Sequence, residues 1–246
     1  KGWSHSDYLA ALCEYELAER FTRRTQSWVR EGRLAPGKTL STLDNSVLSR
    51  TNQALIAKLH QDLSWAHHAD NILLIGPSGT GKTHIANALG YRLIEQGIRC
   101  KLFPAIGLVQ QLQQAKRELD LMSEMSKLDK YQVIIIDDIG YVKKTDAETQ
   151  VLFEFIAHRY ESGSLIITAN HPFSAWDQIF PDSMMTVAAI DRLIVDPQIE
   201  VIRTGKSLHV PPAAAGPRRG TSRPAATRAA AAAPAASPPR GRGPRG

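Results

Sequence analysis

Eight residues constrain this chain more than any others. Gly76-Pro77-Ser78-Gly79-Thr80-Gly81-Lys82-Thr83 satisfies the pattern G-x-x-x-x-G-K-[ST] in full. The all-apolar run Ile72-Leu73-Leu74-Ile75 precedes it, and a helical pattern from about Lys82 to Gln96, stopped by Gly97, follows it. A strand, a glycine-rich turn and a helix in that order make a phosphate cradle. The glycines let the backbone close around an anion with its N–H groups pointing inward, and the helix N-terminus adds positive potential. Gly76, Pro77, Ser78, Gly79, Thr80 and Gly81 are therefore expected to wall the anion. Lys82 is expected to reach the β- and γ-phosphates, and the Thr83 hydroxyl to ligate Mg²⁺.

The rest of the body fits such a unit. Strand patterns at Arg99–Phe103, Val133–Ile136, Leu165–Thr168 and Ile199–Ile202 alternate with helical ones at Ala105–Leu119, Met122–Leu128, Ala147–Glu161 and Val187–Ile194. Short, wholly apolar strands are the pattern of a parallel sheet covered on both faces. The alternation predicts an α/β, three-layer fold with a central parallel sheet over residues 39–210.

Two strand ends carry polar residues where chemistry would need them. The most apolar strand, Val133-Ile134-Ile135-Ile136, runs into Asp137-Asp138. Paired carboxylates at the end of a buried strand are costly unless they hold a cation or are well bonded. Asp137 is expected to serve Mg²⁺, directly or through water, and Asp138 to orient the attacking water as general base. The next strand ends Thr168-Ala169-Asn170. In a parallel sheet that end lies beside Asp137, so the Asn170 amide can fix the water between Asp138 and the γ-phosphate.

Charge bears on partners. The formal net charge is +6 and the isoelectric point about 9.4. Residues 211–246 hold seven arginines and no Asp, Glu or Lys, which leaves 23 basic against 24 acidic residues in 1–210. The body is near neutral, so any DNA contact there must come from local patches. Residues 6–33 read as a helix with Leu17, Phe21 and Trp28 on one face, and Arg20, Arg23, Arg24, Arg30 and Arg33 make a first patch. Lys116, Arg117 and Lys127, on the helices between the second and third strands, make a second. No base-reading motif accompanies either, so recognition would be of the phosphate backbone and sensitive to salt. Residues 211–246 have no Phe, Trp, Tyr, Ile, Leu, Val or Met and hold eight of the fourteen prolines, a composition expected to stay disordered. The organisation expected is a helical region at 1–38, the α/β body at 39–210 and a basic tail at 211–246. Two cysteines, Cys13 and Cys100, exclude a disulfide framework and fit a cytoplasmic setting. No apolar run approaches the roughly 18 residues of a membrane helix, and no membrane partner is expected.

The loop followed by Thr83-His84, the Ile136-Asp137-Asp138-Ile139-Gly140 block, Arg159-Tyr160-Glu161, Thr168-Ala169-Asn170 and Ala189-Ile190-Asp191-Arg192-Leu193 together resemble the IstB-like transposition helper ATPases. These are AAA+ proteins of the same clade as the helicase loader DnaC, and the resemblance covers roughly residues 6–203. It implies a P-loop AAA+ fold preceded by a short helical N-terminal region, and an ATPase that uses ATP and Mg²⁺. It further implies a homo-oligomer, dependent on ATP and DNA, that assembles on duplex DNA and assists a transposase. It carries the nucleotide loop over to Gly76, Gly81, Lys82 and Thr83, the acidic pair to Asp137 and Asp138, and the sensor to Asn170. Arg192 matches the arginine that reaches a neighbouring subunit's γ-phosphate, with Arg159 as the reserve candidate. Many AAA+ proteins have Glu where Asp138 stands, so DNA-stimulated hydrolysis is expected to be slow. Only 18 residues separate Arg192 from Pro211, too few for a full lid domain. The alternative readings are a DnaC-like helicase loader in replication, a small-molecule P-loop kinase, and a nucleotide-gated scaffold with negligible turnover.

Overall fold

A computed structural model describes residues 2–140, 145–172, 176, 187–189, 192–193 and 200–203. Helix α1 (His5–Glu31) leads to two short 3-10 turns (Leu40–Thr42, Asn45–Val47), α2 (Arg50–Gln61) and α3 (Ser64–His67). The body continues β1 (Ile72–Ile75), α4 (Lys82–Glu95), β2 (Cys100–Pro104), α5 (Ala105–Arg117), α6 (Leu121–Leu128), β3 (Val133–Asp137), α7 (Asp146–Arg159), β4 (Ser164–Ala169) and β5 (Glu200–Arg203).

The five strands form one sheet in the order β2-β3-β4-β1-β5, and each neighbouring pair is parallel. All their carboxyl ends therefore lie along one edge. Alternation along each strand divides the apolar residues between two cores. Leu73 and Ile75, Ile134 and Ile136, and Leu165 and Ile167 pack with α5, α6 and α7. Ile72 and Leu74, Val133 and Ile135, and Ile166 pack with α2, α3 and α4. A sheet buried on both faces needs strands apolar at every position, which is what β1 and β3 supply. The α/β three-layer arrangement expected from the alternation is the one observed, with boundaries moved by one or two residues.

The helix expected over residues 6–33 is α1, of 27 residues, opened by a capping box in which the Ser4 hydroxyl accepts from Asp7 N–H and the Asp7 carboxylate accepts from Ser4 N–H. One expectation about it needs correction. Its Leu17–Phe21–Trp28 face is not buried as a stripe. Leu17 is 66% and Phe21 43% exposed, while only Trp28 and Val29, near its C-terminal end, pack on the core. The reason is leverage: α1 is attached by its last two turns alone. The Glu31 carboxylate accepts from Lys130 Nζ at 2.9 Å and from the Tyr131 hydroxyl at 2.8 Å, bonds that hold its pKa below the usual carboxylate value. Gly32 then accepts from Leu102 N–H at 2.8 Å, covering edge strand β2, and it approaches so closely that a Cβ there would sit 2.6 Å from the Cys100 carbonyl. Between α1 and β1, α2 buries Ile56 and Leu59 and α3 buries Trp65 and Ala66. The expected helix at 187–194 is described at 187–189 and 192–193, where it is helical; the expected lid limit and the tail at 211–246 lie outside the described residues.

Candidate active site

The phosphate loop joins β1 to α4. Gly79 and Gly81 have φ of +80° and +86°, a conformation that side-chain-bearing residues rarely adopt, so the motif's glycines are needed for shape. Gly81 caps α4, accepting from Ile85 N–H at 2.9 Å, and Gly76 N–H donates to Ala169 O at 3.1 Å, tying the loop to the end of β4. Lys82 is 4% exposed and donates from Nζ to the carbonyls of Gly76 and Pro77, each at 2.8 Å. Burial pushes its ammonium below the usual lysine range, and the Asp138 and Asp137 carboxylates act in the opposite sense. The cation is thus folded over the loop it is expected to serve.

The acidic end of β3 meets this loop. The Thr83 hydroxyl donates to Asp137 Oδ1 and Oδ2 at 2.9 and 3.2 Å. One hydroxyl and one carboxylate on converging elements fit Mg²⁺, which keeps several waters and takes phosphate oxygens in addition to one or two protein ligands. No cage of three or more His, Cys, Asp or Glu residues occurs among the described residues. Asp138 leaves the strand with φ +58°, and Asn170 Nδ2 donates to its Oδ1 at 3.1 Å. Asn170, expected to fix a water between Asp138 and the γ-phosphate, here bonds the Asp138 carboxylate itself. A cleft of about 210 Å³ lined by Pro104, Ala105, Ile106, Asp137 and Asp138 opens beside the two carboxylates.

Three residues at the site were missed in the sequence. The Thr168 hydroxyl donates to Asp137 Oδ1 at 2.7 Å and accepts from Asp138 N–H at 2.8 Å. His84 Nε2 lies 2.8 Å from Thr39 O and 3.1 Å from the Thr42 hydroxyl, and so fastens the segment after α1 to the first turn of α4. Asn87, fully buried, donates to Thr83 O and accepts from Ala35 N–H. The only sequence signal for these is a polar side chain inside an otherwise apolar pattern, which names a bonded residue without naming its partner.

The arginines separate. Arg159 does not suit a role in a neighbouring site. Its side chain is 1% exposed, Nη2 donates to Tyr131 O and Gln132 O at 2.9 Å each, and Nη1 reaches Asp129 at 3.4 Å. It ties α7 to the start of β3. Arg192 is half-buried, with its guanidinium over the Phe153 ring at 5.0 Å and Nη1 donating to Ala188 O at 3.1 Å.

The two basic patches are largely paired within themselves. On α1, Arg20 meets Glu16 at 2.7 Å and Arg23 meets Glu19 at 3.5 Å. Arg24 stacks on Phe21 and Trp28, Arg30 donates to Gln26 O, and Arg33 is exposed at φ +55°. In the second patch Lys116 pairs with Glu154 at 2.8 Å, Lys127 with Glu124 at 3.1 Å and Asp120 at 3.5 Å, and Arg117 donates to Gln114. Exposed pairs of this kind are worth about 0–1 kcal/mol, so they do not commit the cations to their acids.

Comparison with known proteins gives a consistent picture. Residues 1–209 match a family described as IstB-like ATP binding protein. An insertion sequence ATP-binding protein of Sinorhizobium fredii is 46% identical over 194 residues, 79% of this chain, and the match spans 65% of that relative's length. The ATP-binding protein of insertion sequence IS5376 from Geobacillus stearothermophilus is 35% identical over 191 residues, 78% of this chain and 76% of its own. Among solved structures, AMPPCP-bound DnaA from Aquifex aeolicus superposes with a TM-score of 0.56 at 16% identity, covering 70% of this chain and 51% of that one, a likeness of fold.

Proposed function

The chain belongs to the IstB-like ATP-binding family, and on that premise we propose that it is a P-loop ATPase that assembles on duplex DNA and assists a transposase in moving an insertion sequence. One observation carries the hydrolytic part: Thr83, Asp137, Asp138 and Asn170, from three separate segments, meet at one edge of the sheet within hydrogen-bond distance. Magnesium, when bound with the nucleotide, supplies charge neutralisation for the phosphates. The protein's own residues do the rest. Lys82 holds the β- and γ-phosphates, Asp137 and Thr83 hold the metal, and Asp138 accepts the proton of a water oriented with the help of Asn170. No helix among the described residues is long and apolar enough to cross a membrane.

Arg192 is the residue that acts across a subunit boundary. Among the described residues it meets Phe153 by a ring contact and Ala188 by a hydrogen bond, both exchangeable for a phosphate. DNA is held by the phosphate backbone, through Arg20, Arg23, Arg24, Arg30 and Arg33 on one side and Lys116, Arg117 and Lys127 on the other. Weak contacts per subunit make affinity depend on several subunits sharing one duplex.

The deciding experiment measures phosphate release with and without duplex DNA, alongside particle size. Release stimulated by DNA, with a large particle under ATP, Mg²⁺ and DNA and smaller species under ADP, is the expected result. A phosphorylated small-molecule product would replace this reading with a kinase, and binding without turnover would replace it with a nucleotide-gated scaffold. A transposase that responds to the ATP-bound particle separates it from a helicase loader.

A further inference from the structure

Thr168 is the penultimate residue of β4 and is fully buried among Ile166, Ile167 and Ala169. Valine has the same shape and suits such a position better, since a buried hydroxyl is costly unless bonded. The bonds of this hydroxyl go to two consecutive residues leaving β3. It donates to Asp137 Oδ1 at 2.7 Å and accepts from Asp138 N–H at 2.8 Å. The Thr168 carbonyl then accepts from Ile139 N–H at 3.0 Å. One residue thus grips three in succession, 137 through 139.

Two consequences follow from that grip. Asp138 stands at φ +58°, a conformation that residues with a side chain rarely adopt, though Asp tolerates it better than most, and it is held where the surroundings over-determine it. The bonds to the amides on either side of the Asp138 carbonyl do so, and the resulting turn brings its carboxylate to Asn170. Meanwhile Asp137 Oδ1 is shared between the hydroxyls of Thr83 and Thr168, which fixes the carboxylate's rotation. We infer that Thr168 is a positioning residue that couples the two acidic roles, holding Asp137 in the orientation that serves the metal and Asp138 in the turn that serves the water. The inference rests on the ATPase reading of this site. Partners that orient a metal ligand from behind typically contribute about 10–100-fold in metal affinity or activity.

The test replaces Thr168 by Val, which keeps the volume and deletes both bonds, and by Ser, which restores the hydroxyl. Three readouts are taken: kcat and KM for ATP, the Mg²⁺ concentration that half-saturates ATP binding by calorimetry, and amide hydrogen exchange at Asp138 and Ile139. For Thr168→Val, kcat should fall about 10–100-fold. KM should stay near the parent's, the Mg²⁺ requirement should rise, and the Asp138 amide should lose protection; Thr168→Ser should recover most of each. A folded Thr168→Val chain with the parent's kcat and Mg²⁺ requirement would overturn the inference. So would a parent chain whose Asp138 amide exchanges as fast as an exposed loop, a measurement that holds even if the valine chain does not fold. A parent that binds Mg²⁺ and ATP without turnover would remove the ATPase reading and leave the binding and exchange measurements to decide this one.

Discussion

The carboxyl edge of the sheet and the N-terminal helix both gather charged residues, and they treat them in opposite ways. At the sheet edge Lys82, Thr83, Asp137, Asp138, Thr168 and Asn170 come from three separate stretches of chain and bond to one another or to the loop between β1 and α4. On α1, Arg20 and Arg23 bond to acids four residues away on the same helix. A local pair forms wherever a helix forms and fixes nothing beyond it. A pair assembled from distant segments exists only in the folded chain, and its geometry is fixed by everything between. The first kind of charge tunes affinity; the second kind can support chemistry.

That contrast is sharpest in the substitutions expected to do most. Lys82→Ala should abolish ATP binding, since it removes the main cation at the phosphates; calorimetry showing parental affinity would refute the loop's role. Mixed with Arg192→Ala, which should bind ATP yet lose DNA-stimulated hydrolysis, it should regain some turnover, because each chain supplies what the other lacks. An arginine of this type is worth about 10³–10⁵ in rate. Light scattering that finds only monomer under ATP, Mg²⁺ and DNA would break this part of the comparison.

Asp138→Asn comes next. It should leave ATP bound and slow hydrolysis by about 10²–10⁴-fold, the usual worth of a positioned base. Undiminished phosphate release would move the base elsewhere. Arg159→Leu tests stability instead of chemistry. It removes two charge-assisted bonds to buried carbonyls and a longer one to Asp129, for a cost of about 3 kcal/mol. Its effect should be a lowered melting temperature, with no rescue by mixing. Rescue by Lys82→Ala would restore it as a residue acting between subunits.

The smallest effect belongs to α1. Arg20→Ala with Arg23→Ala should leave the melting temperature essentially unchanged, since both pairs are exposed. If these arginines meet phosphates, the slope of log affinity for DNA against log salt should become shallower by about 2. An unchanged slope would leave DNA binding to Lys116, Arg117 and Lys127. Loss of the fold would mean that α1 is held by more than its last two turns.

What could be read in the sequence follows the same division. The phosphate loop is legible because its glycines, lysine and threonine are contiguous, and the strands because an apolar run of four or five residues says both faces are covered. Asp137, Asp138 and Asn170 are legible from parallel-strand geometry alone. Thr168 is not, since a threonine near a strand end is ordinary until the neighbouring strand's carboxylate is in place. Arg159 misleads because a guanidinium in sequence reads as surface, and its burial depends on the carbonyls of Tyr131 and Gln132, 28 and 27 positions away. The apolar face of α1 misleads for the reverse reason: the pattern of Leu17, Phe21 and Trp28 is real, yet the body meets only the end of the helix.

That end joint makes α1 a lever. A helix of 27 residues is about 40 Å long, and one clamped over two turns concentrates any load at its fulcrum. The fulcrum includes the bond from Leu102 N–H to Gly32 O, in the middle of β2. Strands are stiff along their axis, and β2 ends at Pro104, which pairs in register with Asp137. A pull on the free length of α1 is therefore delivered, through two residues of strand, to the ground on which the acidic pair stands.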